Sequence, residues 1–232
     1  MLTFEDVELR QGDFDLKADM AIDAAKVTAL IGPSGAGKST LLSAIAGFIE
    51  PVRGRILWDG QDMARKSPGE RPVSVLFQDN NLFPHLTAAQ NVGLGLRPDL
   101  KLSQEQKERA AEALESVGLA GLRDRKPAAL SGGQQSRVAL ARVLVSDRDV
   151  VLLDEPFAAL GPALKDEMLD LVKAKLGALA KTVVMVTHDP ADARRVAEYT
   201  VLVADGAAHP PQPTAQLLDN PPPALEHISD SI

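Results

Sequence analysis

The chain has no cysteine. That excludes a disulfide framework and any cysteine-based zinc or redox site, and leaves the redox compartment open. No window approaches 18 unbroken apolar residues, and the opening MLTFEDVELR has no basic stretch backed by an apolar one. Neither a membrane-crossing helix nor a secretory leader is readable. Positive charge is in deficit, with 25 Lys and Arg against 32 Asp and Glu for a net of −7. Such a balance argues against a nonspecific grip on nucleic acid or anionic lipid. The expectation is a soluble cytosolic chain with no nucleic-acid partner and no direct lipid insertion, any membrane contact passing through another protein. No internal repeat is visible.

What is present is enough for a real core. At 232 residues, one α/β domain with a subdomain can bury roughly 70 to 75% of its unfolded surface. LTFEDVELR and FDLKADMAI alternate loosely and read as short strands leading into VTALI, a continuous apolar run of the buried-strand type. RILWDG and PVSVLFQ read as further strands. From about residue 79 to 129 the pattern turns helical. There LSQEQKERAAEALESVG has Ser103 as N-cap, Gln106 at N3, Ala110, Ala113, Leu114 and Val117 on one face, and Gly118 at the stop. Alternation then resumes. A helix over Leu130–Val145 precedes the strand VVLLDE, a helix from Pro162 turns Leu164, Met168, Leu171, Val172 and Leu179 inward, and the strand TVVMVTH, a helix over Ala191–Ala197 and a strand near TVLVADG follow. Strands alternating with helices predict a mainly parallel sheet covered on both faces. The tail from His209 holds six prolines and reads as extended, with Thr214–Leu218 too short for a stable helix alone.

GPSGAGKST matches G-x-x-x-x-G-K-[ST], and the stretch comprises Gly32, Pro33, Ser34, Gly35, Ala36, Gly37, Lys38, Ser39 and Thr40. Its glycines let backbone N–H groups turn inward around a polyphosphate, Lys38 supplies a point charge, and the Ser39 hydroxyl can hold magnesium. Its place between a buried strand and a helix is the context this chemistry needs. Asp154 and Glu155 end an apolar strand at the edge where ligands sit, so one carboxylate can hold a metal shell and the next can deprotonate a water. As a bland alternative, the pair caps the following loop. Gln78 and His188 also stand at ends of inferred core strands and should point to the same edge. Taken alone, either is more often a surface residue.

LSGGQ, Leu130 to Gln134, followed by QSRVALAR, adds a second anion-binding helix start in which Ser131 and the Gly132 and Gly133 amides form a cradle. With GPSGAGKST, Gln78, VVLLDEP and His188 in that order, the chain resembles the ATP-binding subunit of ATP-binding cassette transporters over about residues 1–207. The resemblance implies a P-loop NTPase with a mainly parallel central sheet, an N-terminal antiparallel β subdomain and a helical subdomain inserted at about 79–129, residues 208–232 forming a proline-rich tail. It further implies ATP and Mg2+ as cofactors, with Ser39 and Gln78 on the metal and Asp154 holding it through water. Lys38 would sit on the phosphates, Glu155 would be the catalytic base and His188 would touch the γ-phosphate. Ser131, Gly132, Gly133 and Gln134 of one copy would close over the nucleotide of another in a head-to-tail dimer.

An integral-membrane permease would meet the segment after Gln78, a cargo-binding protein would be an indirect partner, and the subunit would sit peripherally on the cytoplasmic face of the bacterial inner membrane. Within the family, FQDNNLFPHLTAAQNVGLGL is most similar to subunits that energise bacterial thiamine import. Two departures stand out. The loop ELRQGDFD offers only Phe14, or more weakly Arg10, to adenine, and AALG puts Gly161 where the family usually has an aspartate. These leave open an ATP-gated dimerisation module with little hydrolysis, beside an importer ATPase for another small solute and a soluble cassette protein.

Overall fold

The computed structural model describes residues 1–12 and 14–225. The chain opens with an antiparallel pair, β1 (Leu2–Gln11) and β2 (Phe14–Ile22). Leu2, Phe4, Val7 and Leu9 of β1 are buried on one face. The spacing between Phe4 and Val7 breaks strict alternation, and a register shift there, with Asp6 in the left-handed region at φ 49°, restores it. β3 (Val27–Ile31) is buried along its whole length and runs through a glycine-rich turn into α1 (Lys38–Ala46). β4 (Arg53–Trp58) and β5 (Gln61–Asp62) extend the antiparallel part, and β6 (Val73–Leu76) returns to the parallel one.

Next come α2 (Ala88–Gly93), α3 (Gln104–Ser116), α4 (Gly132–Leu144) and β7 (Val150–Asp154). The remaining elements are α5 (Pro162–Ala178), β8 (Thr182–Val186), α6 (Pro190–Val196), β9 (Tyr199–Ala204), β10 (Ala207–Ala208), β11 (Gln212–Pro213) and α7 (Thr214–Asp219).

The parallel region runs β9-β3-β8-β7-β6, and β10 joins it to the antiparallel strands by pairing β9 on one side and β2 on the other. Both faces of the parallel strands are covered, which explains why their sequences are unbroken apolar runs. Leu30, Leu152, Val184 and Val201 pack toward α1 and the N-terminal strands, whereas Ala29, Ile31, Val151, Leu153 and Met185 pack toward α4, α5 and α6. Parallel alignment brings the carboxyl ends of β3, β6, β7 and β8 to one edge.

The capping box Ser103–Gln106 forms as expected, and Gly118 takes φ 76° just past α3. Three expectations need correction. The helical layer does not end at 129, because α4 packs on both α2 and α3. Leu179 does not face inward but is 49% exposed, since α5 ends at Ala178 and Leu176 takes the last core position of that face.

Nor is the chain from 208 a separate extended tail. Ala208 and the β11 residues pair with β9, Leu217 and Leu225 enter the core, and the Thr214 and Thr200 hydroxyls lie 2.9 Å apart in the interior. α7 is too short to persist alone, but packing against α6 and β9 supplies what propensity does not. Residues 226–232 of the expected tail lie outside the described residues. No helix among the described residues is long and apolar enough to cross a membrane.

Candidate functional site

The phosphate loop is shaped by three glycines. Gly35 and Gly37 have φ of 77° and 100°, the region open to glycine at little cost, and Gly37 caps the start of α1. A methyl at Gly32 would fall 1.9 Å from the Val203 carbonyl oxygen, so β9 is packed against the loop at a distance only glycine permits. A tight turn from Pro33 through Ser34 and Gly35 is closed by the Ala36 amide donating to the Pro33 carbonyl at 3.2 Å. Lys38 is buried, and its Nζ donates into its own loop, to the Gly32 and Pro33 carbonyls at 2.8 and 2.9 Å. Burial pulls this ammonium below its ordinary pKa, against the opposing pull of Glu155 and Asp154.

The loop borders a cleft of about 390 Å3, which also has Gln11, Phe14 and Glu155 in its wall. Phe14 opens β2 and yet reaches the cleft, its ring pressed so close to Gly37 that a methyl there would meet it at 2.6 Å. Arg10 instead pairs with Asp15 at 2.7 Å on the surface and is not part of the cleft wall. Thr40 donates to Gln11 Oε1 at 3.4 Å, tying the helix start to the N-terminal strands.

At the sheet edge Ser39 Oγ donates to Asp154 Oδ1 at 3.0 Å, joining the loop to the end of β7. Burial raises the Asp154 carboxyl above its ordinary value and Glu155 adds to this, while the Ser39 hydrogen bond and Lys38 oppose it. Glu155 is held in the left-handed region at φ 43°, uncommon for a side-chain-bearing residue, with its amide donating to the Val186 carbonyl at 3.2 Å. That turn swings its carboxylate to His188, whose Nδ1 lies 3.2 Å from Glu155 Oε2. Gln78 stands exposed two residues past β6, at the same edge on the far side of β7. Thus Lys38, Ser39, Asp154, Glu155 and His188 are brought together and Gln78 flanks them.

The LSGGQ segment is built differently. Ser131 caps α4, accepting from the Gln134 amide at 3.3 Å, while Gln134 Oε1 accepts from the Ser131 amide at 3.0 Å. The Gln134 side chain is therefore occupied within its own capping box. Gly133 is buried where a methyl would strike Leu164 of α5 at 2.4 Å, whereas Ser131 and Gly132 are exposed and a methyl at Gly132 would meet nothing. None of the four lines the phosphate-loop cleft of its own chain.

Sequence reasoning missed Gln11, whose wall position depends on the β1–β2 pairing, and a charged cluster around His188 formed by Lys165, Asp189 and Asp192. The aspartates stand in the same loop-helix start as His188, but nothing in spacing pointed to Lys165. No cluster of three or more His, Cys, Asp or Glu side chains able to hold a metal ion exists among the described residues. A cation here would share its shell with phosphate and water, as magnesium usually does.

A buried parallel strand, a lysine-bearing glycine loop opening a helix, and two carboxylates at the neighbouring strand's end define the phosphate site of a nucleotide-hydrolysing P-loop protein. Residues 16–158 match the family described as ABC transporter. The thiamine import ATP-binding protein ThiQ of Ruegeria sp. (strain TM1040) is 60% identical over 97% of each chain, and that of Cereibacter sphaeroides is 61% identical over 97% of each. Among solved structures, cbiO1 from Clostridium perfringens, part of the ABC transporter complex cbiONQ, aligns with TM-score 0.85 and 30% identity over 94% of this chain and 90% of its own. A dimeric post-hydrolysis state of the ATP-binding cassette MJ0796 bound to ADP and Pi aligns with TM-score 0.79 and 30% identity over 92% and 99%. The chain belongs to the ABC transporter family and is its ATP-binding, ATP-hydrolysing cassette.

Proposed function

We propose that this chain energises import of thiamine or thiamine phosphates, as a peripheral subunit on the cytoplasmic face of the bacterial inner membrane. It would work with an integral-membrane permease and, through that permease, with a cargo-binding protein. Kinship to the two thiamine-import subunits over nearly the full length supports the cargo. The hydrolytic chemistry rests chiefly on one observation, the Glu155–His188 contact of 3.2 Å beside the Ser39–Asp154 pair.

That geometry supports a role for each residue. Backbone amides of Gly35 to Thr40 and the Lys38 ammonium would receive the phosphates, Lys38 leaving its loop carbonyls to do so. Ser39 Oγ, Asp154 and Gln78 present hard oxygens, and the half-buried Asp154 carboxylate is a negative charge that feels Lys38 as its cation among the described residues. These residues fit Mg2+, which would neutralise developing phosphate charge. Glu155 would take the proton of the attacking water, and His188, donating from Nδ1, would hold that carboxylate and face the γ-phosphate with its other edge. Exposed Ser131 and Gly132, which do not line their own cleft, support closure over the nucleotide of a second copy in head-to-tail pairing.

The test is uptake of labelled thiamine by cells carrying the wild-type chain or Glu155→Gln at matched abundance. Hydrolysis should slow about a hundredfold or more, the scale of a lost general base, with ATP binding intact and uptake abolished. Unchanged turnover would refute the role of Glu155, and uptake that persists without another thiamine carrier would refute the cargo. Ser131→Arg should spare nucleotide binding by single chains and abolish ATP-induced dimers.

A further inference from the structure

Between α5 and α6 the carboxyl edge of the sheet opens into a cleft of about 420 Å3, with Glu155, Lys165 and His188 in its wall. Lys165 Nζ lies 2.6 Å from Asp189 Oδ2 and 2.8 Å from Asp192 Oδ1. Each of these three side chains is less than a quarter exposed. The carboxylates brace the segment that carries His188. Asp192 Oδ2 accepts from the Thr187 hydroxyl at 2.9 Å, that hydroxyl accepts from the Asp189 amide at 3.1 Å, and Asp189 Oδ1 accepts from the Ala191 amide at 2.9 Å. Both neighbours of His188 in the chain are thereby fixed, while His188 itself is 61% exposed and touches Glu155.

The other end of the brace is equally specific. The Lys165 amide donates to the Gly161 carbonyl at 2.9 Å in the first turn of α5. The helix start thereby links the end of the loop from Pro156 to Gly161 to the lysine's backbone.

We infer that Lys165 is a positioning residue that couples the loop before α5 to His188, through its ion pairs with Asp189 and Asp192. The inference rests on the catalytic reading of Glu155 and His188 given above. A partly buried ammonium shared by two carboxylates is a stiff, directional tie, and burial, which would lower the Lys165 pKa, is outweighed by those carboxylates so that it is raised. Misplacing a catalytic group by about 1 Å from a distant site can cost on the order of a hundredfold in rate.

A double-mutant cycle on the full chain tests it, with ATP turnover, nucleotide affinity and thermal unfolding measured for Lys165→Met, His188→Ala and the pair. Lys165→Met should lower kcat about tenfold with nucleotide affinity within about twofold, and Lys165→Arg should recover most of the rate. On the His188→Ala background Lys165→Met should have no further effect, since it acts through that side chain. Asp192→Asn, which keeps volume, should lower kcat in the same non-additive way and serves should Lys165→Met unfold. If His188→Ala cripples turnover while Lys165→Met and Asp192→Asn are neutral, or multiply its defect, the coupling is overturned and the catalytic reading stands. If His188→Ala leaves turnover unchanged, both fall.

Discussion

Arg71 is 2% exposed and points its guanidinium at the end of α1 opposite the phosphate loop. Nη1 donates to the Ala44 and Ile45 carbonyls at 2.8 and 3.0 Å, and Nε donates to the Lys66 carbonyl at 3.2 Å. Helices leave their last carbonyls without partners, and a buried cation there satisfies both the hydrogen bonds and the dipole. Hydrogen bonds to a charged group contribute about 1.5 to 3 kcal/mol each, and removing the guanidinium relieves a burial cost of several kcal/mol. The balance for Arg71→Ala is a loss of about 2 to 4 kcal/mol, the cost of breaking a buried polar network. In a domain of this size that lowers Tm by about 4 to 16 °C. Arg71→Lys keeps the charge but lacks the fork that reaches three carbonyls, so about half the loss should remain. Thermal denaturation of the nucleotide-free chain reads the effect, and ATP affinity well below the melting range should be unchanged because Lys38 and Ser39 lie at the other end of α1. A loss below about 1 kcal/mol, or weakened ATP binding at unchanged Tm, would refute the capping argument.

Leu217→Ala should cost about 2 to 3 kcal/mol in the same denaturation assay, because α7 is docked into the core; a neutral result would mean that the segment past residue 208 contributes no stability. At Gly161 the backbone has φ −64° and ψ 156°, an N-cap geometry, and a methyl there would meet nothing. Gly161→Asp should therefore raise Tm by about 1 °C through capping of α5, and a lowered Tm would show that the position does not accept a side chain. Asp154 has a folded pKa above its ordinary value, chiefly from burial, so the folded state holds that proton more tightly than the unfolded one. Its ionisation thus removes stability as pH rises out of the ordinary carboxylate range and through the raised value. Asp154→Asn should melt higher than the parent at neutral pH in the absence of nucleotide, with the advantage shrinking on acidification toward that ordinary range, and should lose ATP turnover. An advantage that grows on acidification would overturn the burial argument.

Much of this was legible where local chemistry and fold agree. VTALI and VVLLDE announce buried parallel strands because both faces are covered, and the Ser103 capping box forms as its spacing predicts, whereas the Ser131–Gln134 box shows only in the fold. GPSGAGKST could be placed because only a loop between strand and helix uses three such glycines together. Illegible were features that depend on partners distant in sequence. Leu217 and Leu225 look like isolated apolar residues among prolines until β9 and α6 are set beside them. Phe14 could be offered to a nucleotide from its loop, but that the same residue opens β2 and presses its ring on Gly37 shows only in the fold. Lys165 is 24 residues from Asp189, and only the packing of α5 on α6 brings them together.

These departures share a physical pattern. Lys38 turns inward onto its own carbonyls, Asp154 is held above its ordinary pKa, and Glu155 is kept in a backbone conformation that side chains disfavour. Each costs free energy, and a magnesium-bound polyphosphate would relieve the first two by giving the ammonium anions and the carboxylate a cation. The third would remain, since it is what carries the Glu155 carboxylate to His188. Stability lost at the edge of the sheet is offset elsewhere, in the doubly covered strands and in the Arg71 cap that anchors the far end of α1. The site can therefore be strained without loosening the helix that presents it.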